Sequence, residues 1–285
     1  MTAPLLANPE LVLCGLSMVP ISFSDLVAAA SGSGFDAISV GPAVYRQAVR
    51  DGLSMHDMRR VLDDSGMWVS EVEGVGNWLT PPEDKPQRWA QRVSDDELLD
   101  LAEALGARSV LVTHFGTPVP AEEAAGPFAA LCDRAAGAGL AIALEFVAFA
   151  TIMDLRGAWD VVEEAGRPNG GIMLDTWHYL RGRPDDELLR SIPADRIFGV
   201  QLADAEQPFT GPLEDDILRR RLPGAGHLGL ASVVSELAVI GVRAPIGIEV
   251  WDKDLLAQGP QGTAQQLHRA MITFLGACYD PSAGS

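Results

Sequence analysis

The chain has 285 residues, of which 47% are hydrophobic, and it carries a formal net charge of −18. This length fits one α/β barrel, and the apolar fraction is large enough to bury an extensive core. The negative charge excludes nucleic acid as a partner, because polyanion binding needs clustered Lys and Arg, and it also disfavours binding to anionic lipid.

The cysteines and the N-terminal segment indicate a cytoplasmic protein. Cys14, Cys132 and Cys278 lie far apart and show no C-x-x-C spacing, which is typical of reduced thiols in the cytosol. The first residues, Met-Thr-Ala-Pro-Leu-Leu, lack a basic start and a long apolar core. No stretch approaches the ~20 apolar residues that cross a bilayer. We therefore expect no membrane partner.

Short apolar runs alternate with amphipathic stretches along the chain. The runs are apolar on both faces, which is typical of parallel strands covered by helices. The predicted strands are Leu11–Leu16, Ala37–Val40, Trp68–Val72, Ser109–Thr113, Ala141–Phe146, Gly171–Leu174, Ile197–Leu202 and Ile246–Val250. The predicted helices are Phe23–Ala30, with Ser24 and Asp25 as candidate caps, Met55–Asp64, Asp95–Leu105, Ala121–Ala138, Leu155–Ala165, Leu230–Ile240 and Gln261–Leu275.

These alternations predict one domain over residues 1–285 that folds as a closed (β/α)8 TIM barrel with a disordered tail at 280–285. An open doubly wound sheet is the alternative, but no G-x-G-x-x-G follows an early strand. Two long connections run from Glu73 to about Val93 and from Ala203 to about Gly229. Both follow strands, so we expect them at the C-terminal face of the barrel, where such enzymes carry their sites.

The last four predicted strands end in polar side chains at equivalent positions: Glu145, Asp175, Gln201 and Glu249. Three buried carboxylates that converge would repel one another, and a divalent cation would remove that cost. The plainer alternative is that one or two of them are strand-end residues bonded to backbone or to Arg. Three carboxylates and one amide carbonyl form an all-oxygen ligand set, which favours Mg²⁺ or Mn²⁺ over Zn²⁺ and is also compatible with Co²⁺.

These residues lie in motifs that resemble the xylose-isomerase-like TIM barrels. That family includes sugar phosphate isomerases and epimerases, ketose 3-epimerases, inosose dehydratase and 3-dehydroshikimate dehydratase. The resemblance is best from about Leu140 to Trp251 and rests on Ala-Leu-Glu145-Phe, Pro168-Asn169-Gly170, Leu174-Asp175-Thr-Trp-His178, Val-Gln201-Leu-Ala-Asp204, Leu222-Pro223-Gly224-x-Gly226 and Ile-Glu249-Val. It implies the barrel fold and the metal ligands Glu145, Asp175, Gln201 and Glu249. The first half of the chain matches only in fold pattern.

One departure concerns Gln201, because many relatives have His at this position. The dehydroshikimate dehydratases resemble this chain in using Gln there and in following it with an Arg and a Pro-Gly-x-Gly loop. This favours a dehydratase. However, the segment Ser70-Glu71-Val72-Glu73-Gly74 does not resemble their Arg-bearing segment, which leaves the substrate open.

Enolisation of a hydroxy-ketone needs a base for the proton beside the carbonyl while negative charge grows on oxygen. Glu145 and Glu249 are the candidate catalytic bases. In an isomerase or epimerase, one removes the proton and the other returns it. In a dehydratase, His178 is the candidate acid for the leaving hydroxyl, or a hydroxyl contact. A histidine bonded to backbone in the βα loop is the alternative.

Four further residues are candidates for substrate binding. Arg220, in the loop after the seventh strand, could meet a carboxylate or phosphate. The triple Arg beside Glu214, Asp215 and Asp216 could equally form a solvated ion-pair cluster. His114, Trp78 and Glu73 are candidates for lining the pocket.

The leading hypothesis is a metal-dependent isomerase or epimerase of a small sugar- or polyol-derived hydroxy-ketone. The alternative is a metal-dependent dehydratase of a cyclic hydroxy-ketone such as 3-dehydroshikimate or an inosose. A non-catalytic binding barrel is the alternative from another class. The family resemblance also implies that the chain can form a homo-oligomer, although no residue indicates one.

Overall fold

A computed structural model describes residues 9–79 and 93–279. The predicted tail at 280–285 and the prolines Pro81, Pro82 and Pro86 lie outside these residues. The described strands are β1 (Leu11–Leu13), β2 (Ala37–Val40), β3 (Trp68–Val75), β4 (Ser109–Val112), β5 (Ala141–Glu145), β6 (Gly170–Asp175), β7 (Ile197–Leu202) and β8 (Ile246–Ile248). Each strand pairs in parallel with the next, and β1 pairs with β8, which closes the barrel. The predicted TIM-barrel fold is therefore confirmed.

Helices alternate with the strands. They are α1 (Phe23–Ser31), α2 (Pro42–Arg50), α3 (Met55–Ser65), α4 (Asp95–Leu105), α5 (Ala121–Ala136), α6 (Leu155–Ala165), α7 (Thr176–Arg181), α8 (Asp186–Ser191), α9 (Leu213–Asp216), α10 (Leu230–Ile240), α11 (Lys253–Leu256) and α12 (Gly259–Tyr279). No helix within 9–79 and 93–279 is long and apolar enough to cross a membrane. The three cysteines are free thiols.

The sequence prediction missed the short helices α2, α7, α8, α9 and α11. Each has nine residues or fewer, too few turns to give a clear apolar period. The predicted caps of α1 were also wrong. The helix is capped by Ser22, whose hydroxyl accepts the Asp25 N–H, while Ser24 and Asp25 lie inside the first turn.

Two strand boundaries matter for the site. β1 ends at Leu13 and is followed by a short 3₁₀ turn, Gly15–Met18, so the predicted extension to Leu16 was wrong. β3 continues to Val75, so Glu73 lies within the strand and not in the connection that follows it. Val72 and Val75 are both fully buried and pair with Val110 and Val112 of β4, and the register shifts between them.

The barrel interior below the site is apolar. Leu111, Ala143 and Met173, from β4, β5 and β6, form a small buried cluster separate from the main core. Successive side chains of a strand point to opposite faces, so a residue two positions on faces the same way. Glu145 and Asp175 therefore project into the barrel directly above Ala143 and Met173.

Candidate active site at the carboxyl ends of the strands

Four polar side chains lie at the carboxyl ends of β5 to β8. Glu145 and Asp175 are the last residues of β5 and β6, Gln201 pairs in register with Asp175, and Glu249 directly follows β8. Carboxylate oxygens of Glu145 and Asp175 lie within 4.8 Å of each other and of a ring nitrogen of His178. These three buried groups are able to hold a metal ion.

Gln201 provides a separate indication of a missing ligand. Its side chain is 1% exposed, and its Oε1 atom has no hydrogen-bond partner among the described residues. A buried carbonyl oxygen without a donor is costly, and a cation would satisfy it. The unpartnered Gln201 oxygen is therefore evidence for a divalent metal site that does not depend on the carboxylates.

Two carboxyl groups of the site, those of Glu145 and Glu249, have raised pKa values. Burial, followed by the charges of Glu249 and Asp175, raises the pKa of Glu145 well above its usual value. Burial also raises the pKa of Glu249 to about 8, although Arg220 opposes the shift. Carboxyl groups with raised pKa values beside one another are typical of sites that exchange protons or bind cations.

Arg220 is the member of the triple Arg that faces the site. It is 4% exposed, and its Nη1 donates to Asp175 Oδ2 at 2.8 Å and lies 3.4 Å from Glu249 Oε1. Burial would lower its pKa, but the neighbouring carboxylates outweigh this effect and raise it. Arg219 and Arg221 are exposed, whereas Asp216 is buried in an ion pair with Arg181. The predicted solvated cluster is therefore wrong for Arg220 and for Asp216.

Asp204 organises the loop that carries Arg220. Its carboxylate accepts the N–H groups of Ala205, Gly224, Gly226 and Leu228 at 2.8–3.2 Å, and its backbone pairs with Arg221. A single buried carboxylate thus holds together the Pro-Gly-x-Gly segment and the strand end.

His178 lies in α7, which begins directly after Asp175, and not in an irregular loop. Asp175 caps this helix by accepting the His178 N–H at 2.9 Å. The Ala148 N–H donates to Nδ1 at 3.4 Å, and Nε2 lies 3.3 Å from Arg220 Nη2. Burial lowers the pKa of His178 to about 3. The ring is therefore neutral, which favours a ligand or hydroxyl contact over a proton donor.

A second polar wall faces the site from β1 to β3. We define the acidic wall as Cys14, Ser39, Glu71 and Glu73, of which Cys14 directly follows β1. The Cys14 sulfur and the carboxylates of Glu71 and Glu73 lie within 4.8 Å of one another, and Ser39 donates to Glu73. Burial raises the pKa of both glutamates to about 7, and the Glu71 charge adds to the shift of Glu73.

The sequence analysis named Glu73 but did not assign Cys14, Ser39 or Glu71 to the site. Their signal is weak because Ser and Cys are common in buried strands. Glu71 and Glu73 do give a recognisable sequence signal. Two acids separated by one Val in an apolar strand point to the same face.

Trp78 and His114 pack beside each other on the β4 side. The Trp78 indole donates to the Thr113 carbonyl at 2.8 Å, and its ring meets His114 edge to face. His114 Nδ1 lies 2.8 Å from Thr151 Oγ1. Both residues thus have partners that fix their orientation, and their predicted role in lining a pocket stays a prediction.

A closed barrel of eight parallel strands that alternate with helices defines the class of TIM barrels, here with carboxylates at the strand ends. The sequence profile of the xylose isomerase-like TIM barrel family matches residues 27–274. The chain therefore belongs to the xylose isomerase-like TIM barrel family, as its motifs predicted.

Named relatives of known activity are enzymes. The chain is 27% identical to a 3-dehydroshikimate dehydratase of Pseudomonas aeruginosa over 86% of its own length, which is 38% of that protein. It is 30% identical to an inosose isomerase of Bacillus velezensis over 50% of its length and 52% of that protein. The chain thus spans well under two thirds of the dehydratases that it matches.

Solved structures share the fold. The IOLI protein with a bound zinc atom superimposes with a TM-score of 0.80 at 18% identity, covering 95% of this chain and 99% of that one. A D-allulose 3-epimerase from Methylomonas sp. gives 0.69 at 19% identity, covering 98% of this chain and 100% of that one. At these identities the likeness concerns the fold alone.

Proposed function

We propose that the chain is a divalent-metal-dependent enzyme that isomerises or epimerises a small hydroxy-ketone by moving the proton beside its carbonyl. The observation that carries this proposal is that Glu145, which is buried, and Glu249, which is partly buried, have raised pKa values and lie at strand ends beside the buried Gln201, whose Oε1 has no partner among the described residues. Glu145, Asp175, Gln201 and Glu249 would hold the metal, with Mn²⁺ or Mg²⁺ preferred by the all-oxygen set. His178 is close enough to Glu145 and Asp175 to join them.

The chain's own groups account for the proton transfer. A bound divalent cation would supply Lewis-acid stabilisation of the negative charge on the ketone oxygen. Glu249 takes the proton from one face of the carbon, and Glu145 returns one to the other face. Burial raises the pKa of Glu249 to about 8 in the metal-free chain, and a bound cation would lower it and favour the ionised form that acts as a base. Arg220 then orients a substrate oxygen beside Asp175.

A dehydratase is the second candidate, favoured by the 3-dehydroshikimate dehydratase relative that matches 86% of this chain. The same base would remove the proton, and the hydroxyl on the next carbon would leave as water. The neutral state of His178 makes it a poor acid for this step, so another group must donate the proton.

The test is proton exchange in deuterated buffer. The Mn²⁺-loaded protein is incubated with an inosose, with D-fructose and with 3-dehydroshikimate, and deuterium beside the carbonyl is followed by NMR. We expect exchange in the wild type and a loss of at least about 100-fold in Glu249→Gln, which keeps an oxygen ligand but loses the base. The exposed Glu214→Gln is the matched control.

Each result has a defined meaning. Exchange without a new aromatic absorbance supports the isomerase or epimerase, whereas an aromatic product from 3-dehydroshikimate supports the dehydratase. Wild-type exchange in Glu249→Gln refutes the assigned base. A protein that binds less than about 0.1 equivalents of Mn²⁺ favours the non-catalytic barrel.

A further inference from the structure

The acidic wall is built on strands that carry none of the proposed metal ligands. Glu71 and Glu73 are two residues apart on β3, and Val72 between them is buried in the main core. The two carboxylates therefore share the inner face of the barrel. Ser39 on β2 links Glu73 to the backbone of Gly15, because its hydroxyl donates to Glu73 and accepts the Gly15 N–H.

This wall adjoins the proposed metal site. A Cβ on Gly247, in β8, would lie 2.8 Å from Cys14 Sγ and 3.6 Å from Gln201 Cγ, so both side chains flank the same glycine. The Glu249 charge raises the pKa of Glu71, and the Glu73 charge raises those of Glu145 and Glu249. The wall and the metal site are thus two sides of one polar interior, which includes the unpartnered, buried Gln201 oxygen.

The charge of this interior is unbalanced. The described residues bring together five carboxyl groups, from Glu71, Glu73, Glu145, Asp175 and Glu249. Among residues 9–79 and 93–279, Arg220 supplies the guanidinium that pairs with these carboxyl groups. It pairs with Asp175 and Glu249, which lie on the side of the barrel away from β3. A divalent cation would bind on that same far side. The carboxyl groups on β3 therefore have hydroxyl and thiol neighbours but no described cation bonded to them.

We propose, on the basis of the hydroxy-ketone function above, that Glu71 and Glu73 determine substrate specificity by accepting hydrogen bonds from a neutral polyhydroxylated ketone. The same pair excludes substrates that carry a carboxylate on the side facing β3. Carboxylate oxygens are strong acceptors for hydroxyl donors, and such charge-assisted bonds are short and directional. A substrate carboxylate at this position would face two like charges in a buried setting, which is strongly unfavourable.

The experiment compares a carboxylate ligand with its uncharged methyl ester. Quinate and its methyl ester have the same hydroxylated ring, and their dissociation constants are measured by calorimetry on the Mn²⁺-loaded protein at about pH 8, where groups with a pKa of about 7 are ionised. The readout is the ratio of the dissociation constant of quinate to that of the ester. We expect this ratio to fall at least about 10-fold in the double variant Glu71→Gln/Glu73→Gln.

Controls keep the outcome decisive. Glu236→Gln removes a surface acid that pairs with Arg190 and should leave the ratio at the wild-type value. If the double variant does not fold, Glu73→Gln alone should lower the ratio at least about 3-fold. A ratio that stays within about twofold of wild type in the folded variant overturns the proposal, as does a wild type that binds neither ligand.

The two proposals fail separately. If deuterium exchange is absent but the ratio changes as expected, the proposed reaction is wrong and the acidic wall remains a recognition surface. If exchange occurs with the ratio unchanged, the reaction stands and the wall does not select the substrate.

Discussion

Arg220 Nη1 donates to Asp175 Oδ2 at 2.8 Å, and both side chains are almost completely buried, with 3% and 0% of their surfaces exposed. The same nitrogen donates to the backbone carbonyl of Glu249 at 3.1 Å. The guanidinium therefore supplies positive charge where the strand-end carboxylates converge. Since a divalent cation would act on the same carboxylates, the arginine and the metal should be thermodynamically linked.

This linkage is tested with Arg220→Met in the presence of EDTA. Removing one partner of a buried ion pair leaves an uncompensated charge, so we expect the free energy of unfolding to fall by about 3–5 kcal/mol. Mn²⁺ should restore more stability to the variant than to the wild type, because the ion replaces the missing charge. The exposed Arg219→Met serves as the control, and an Arg220→Met protein as stable as wild type in EDTA contradicts the prediction.

Replacing Gln201 by His should change which metal is preferred. An imidazole nitrogen is a softer ligand than an amide oxygen, so Zn²⁺ and Co²⁺ should gain affinity relative to Mn²⁺ and Mg²⁺. Competitive metal titration of the purified proteins measures the ratio, and we expect a shift of about 10-fold or more. An unchanged metal profile would mean that Gln201 does not coordinate.

Ionisation of Glu71 should make the metal-free protein less stable as the pH rises. Burial raises its pKa to about 7 in the folded state, against an ordinary value of 4.5 when unfolded. Between pH 4.5 and about 7, the folded chain therefore keeps a proton on Glu71 that the unfolded chain has lost. The stability that comes from Glu71 is present in full below pH 4.5 and is lost as the pH rises through about 7.

Urea unfolding from about pH 5 to about pH 8 in EDTA measures this effect. Glu71→Gln keeps the shape of the protonated side chain but cannot ionise. We expect the variant to gain stability relative to wild type as the pH rises. A stability difference that is constant over this range would show that Glu71 does not titrate in the folded protein as its burial requires.

Asp204 should act on the site through the loop that carries Arg220. Its removal in Asp204→Ala leaves four N–H groups without their acceptor, and we expect unfolding free energy to fall by about 2–3 kcal/mol. Asp204→Asn retains one acceptor oxygen and should recover part of the loss. Chemical denaturation of both variants checks the order, and an Asp204→Ala protein more stable than Asp204→Asn would refute it.

Much of the fold could be predicted because the barrel strands are apolar on both faces, so their runs stand out in the sequence. The residues Glu145, Asp175 and Glu249 could be singled out for the same reason, since each interrupts an apolar run at its end. His178 could be named as a candidate, but its place on a helix could not be predicted. A six-residue helix has too few turns to show a period, and its capping by Asp175 appears only in three dimensions.

The orientation of Arg220 depends on contacts that are distant in sequence. Asp204 binds backbone groups twenty or more residues along the chain, and these bonds decide which of three adjacent arginines turns inward. Glu73 was predicted to lie in a connection because polar residues ordinarily end a strand. In this barrel β3 continues past it, since polar side chains can face an interior that is itself polar.

The proposed metal ligands and the acidic wall lie on different strands, and this separation has an evolutionary consequence. Proposed chemistry is confined to the tips of β5 to β8, while the acidic wall is confined to β1 to β3. Mutations in the first half of the chain can therefore exchange one set of recognition side chains for another while the proposed metal ligands stay in place, and a change at Glu73 would also alter the pKa values of Glu145 and Glu249. A lineage built in this way can acquire new substrates by drift or recombination in one segment while the other stays under purifying selection.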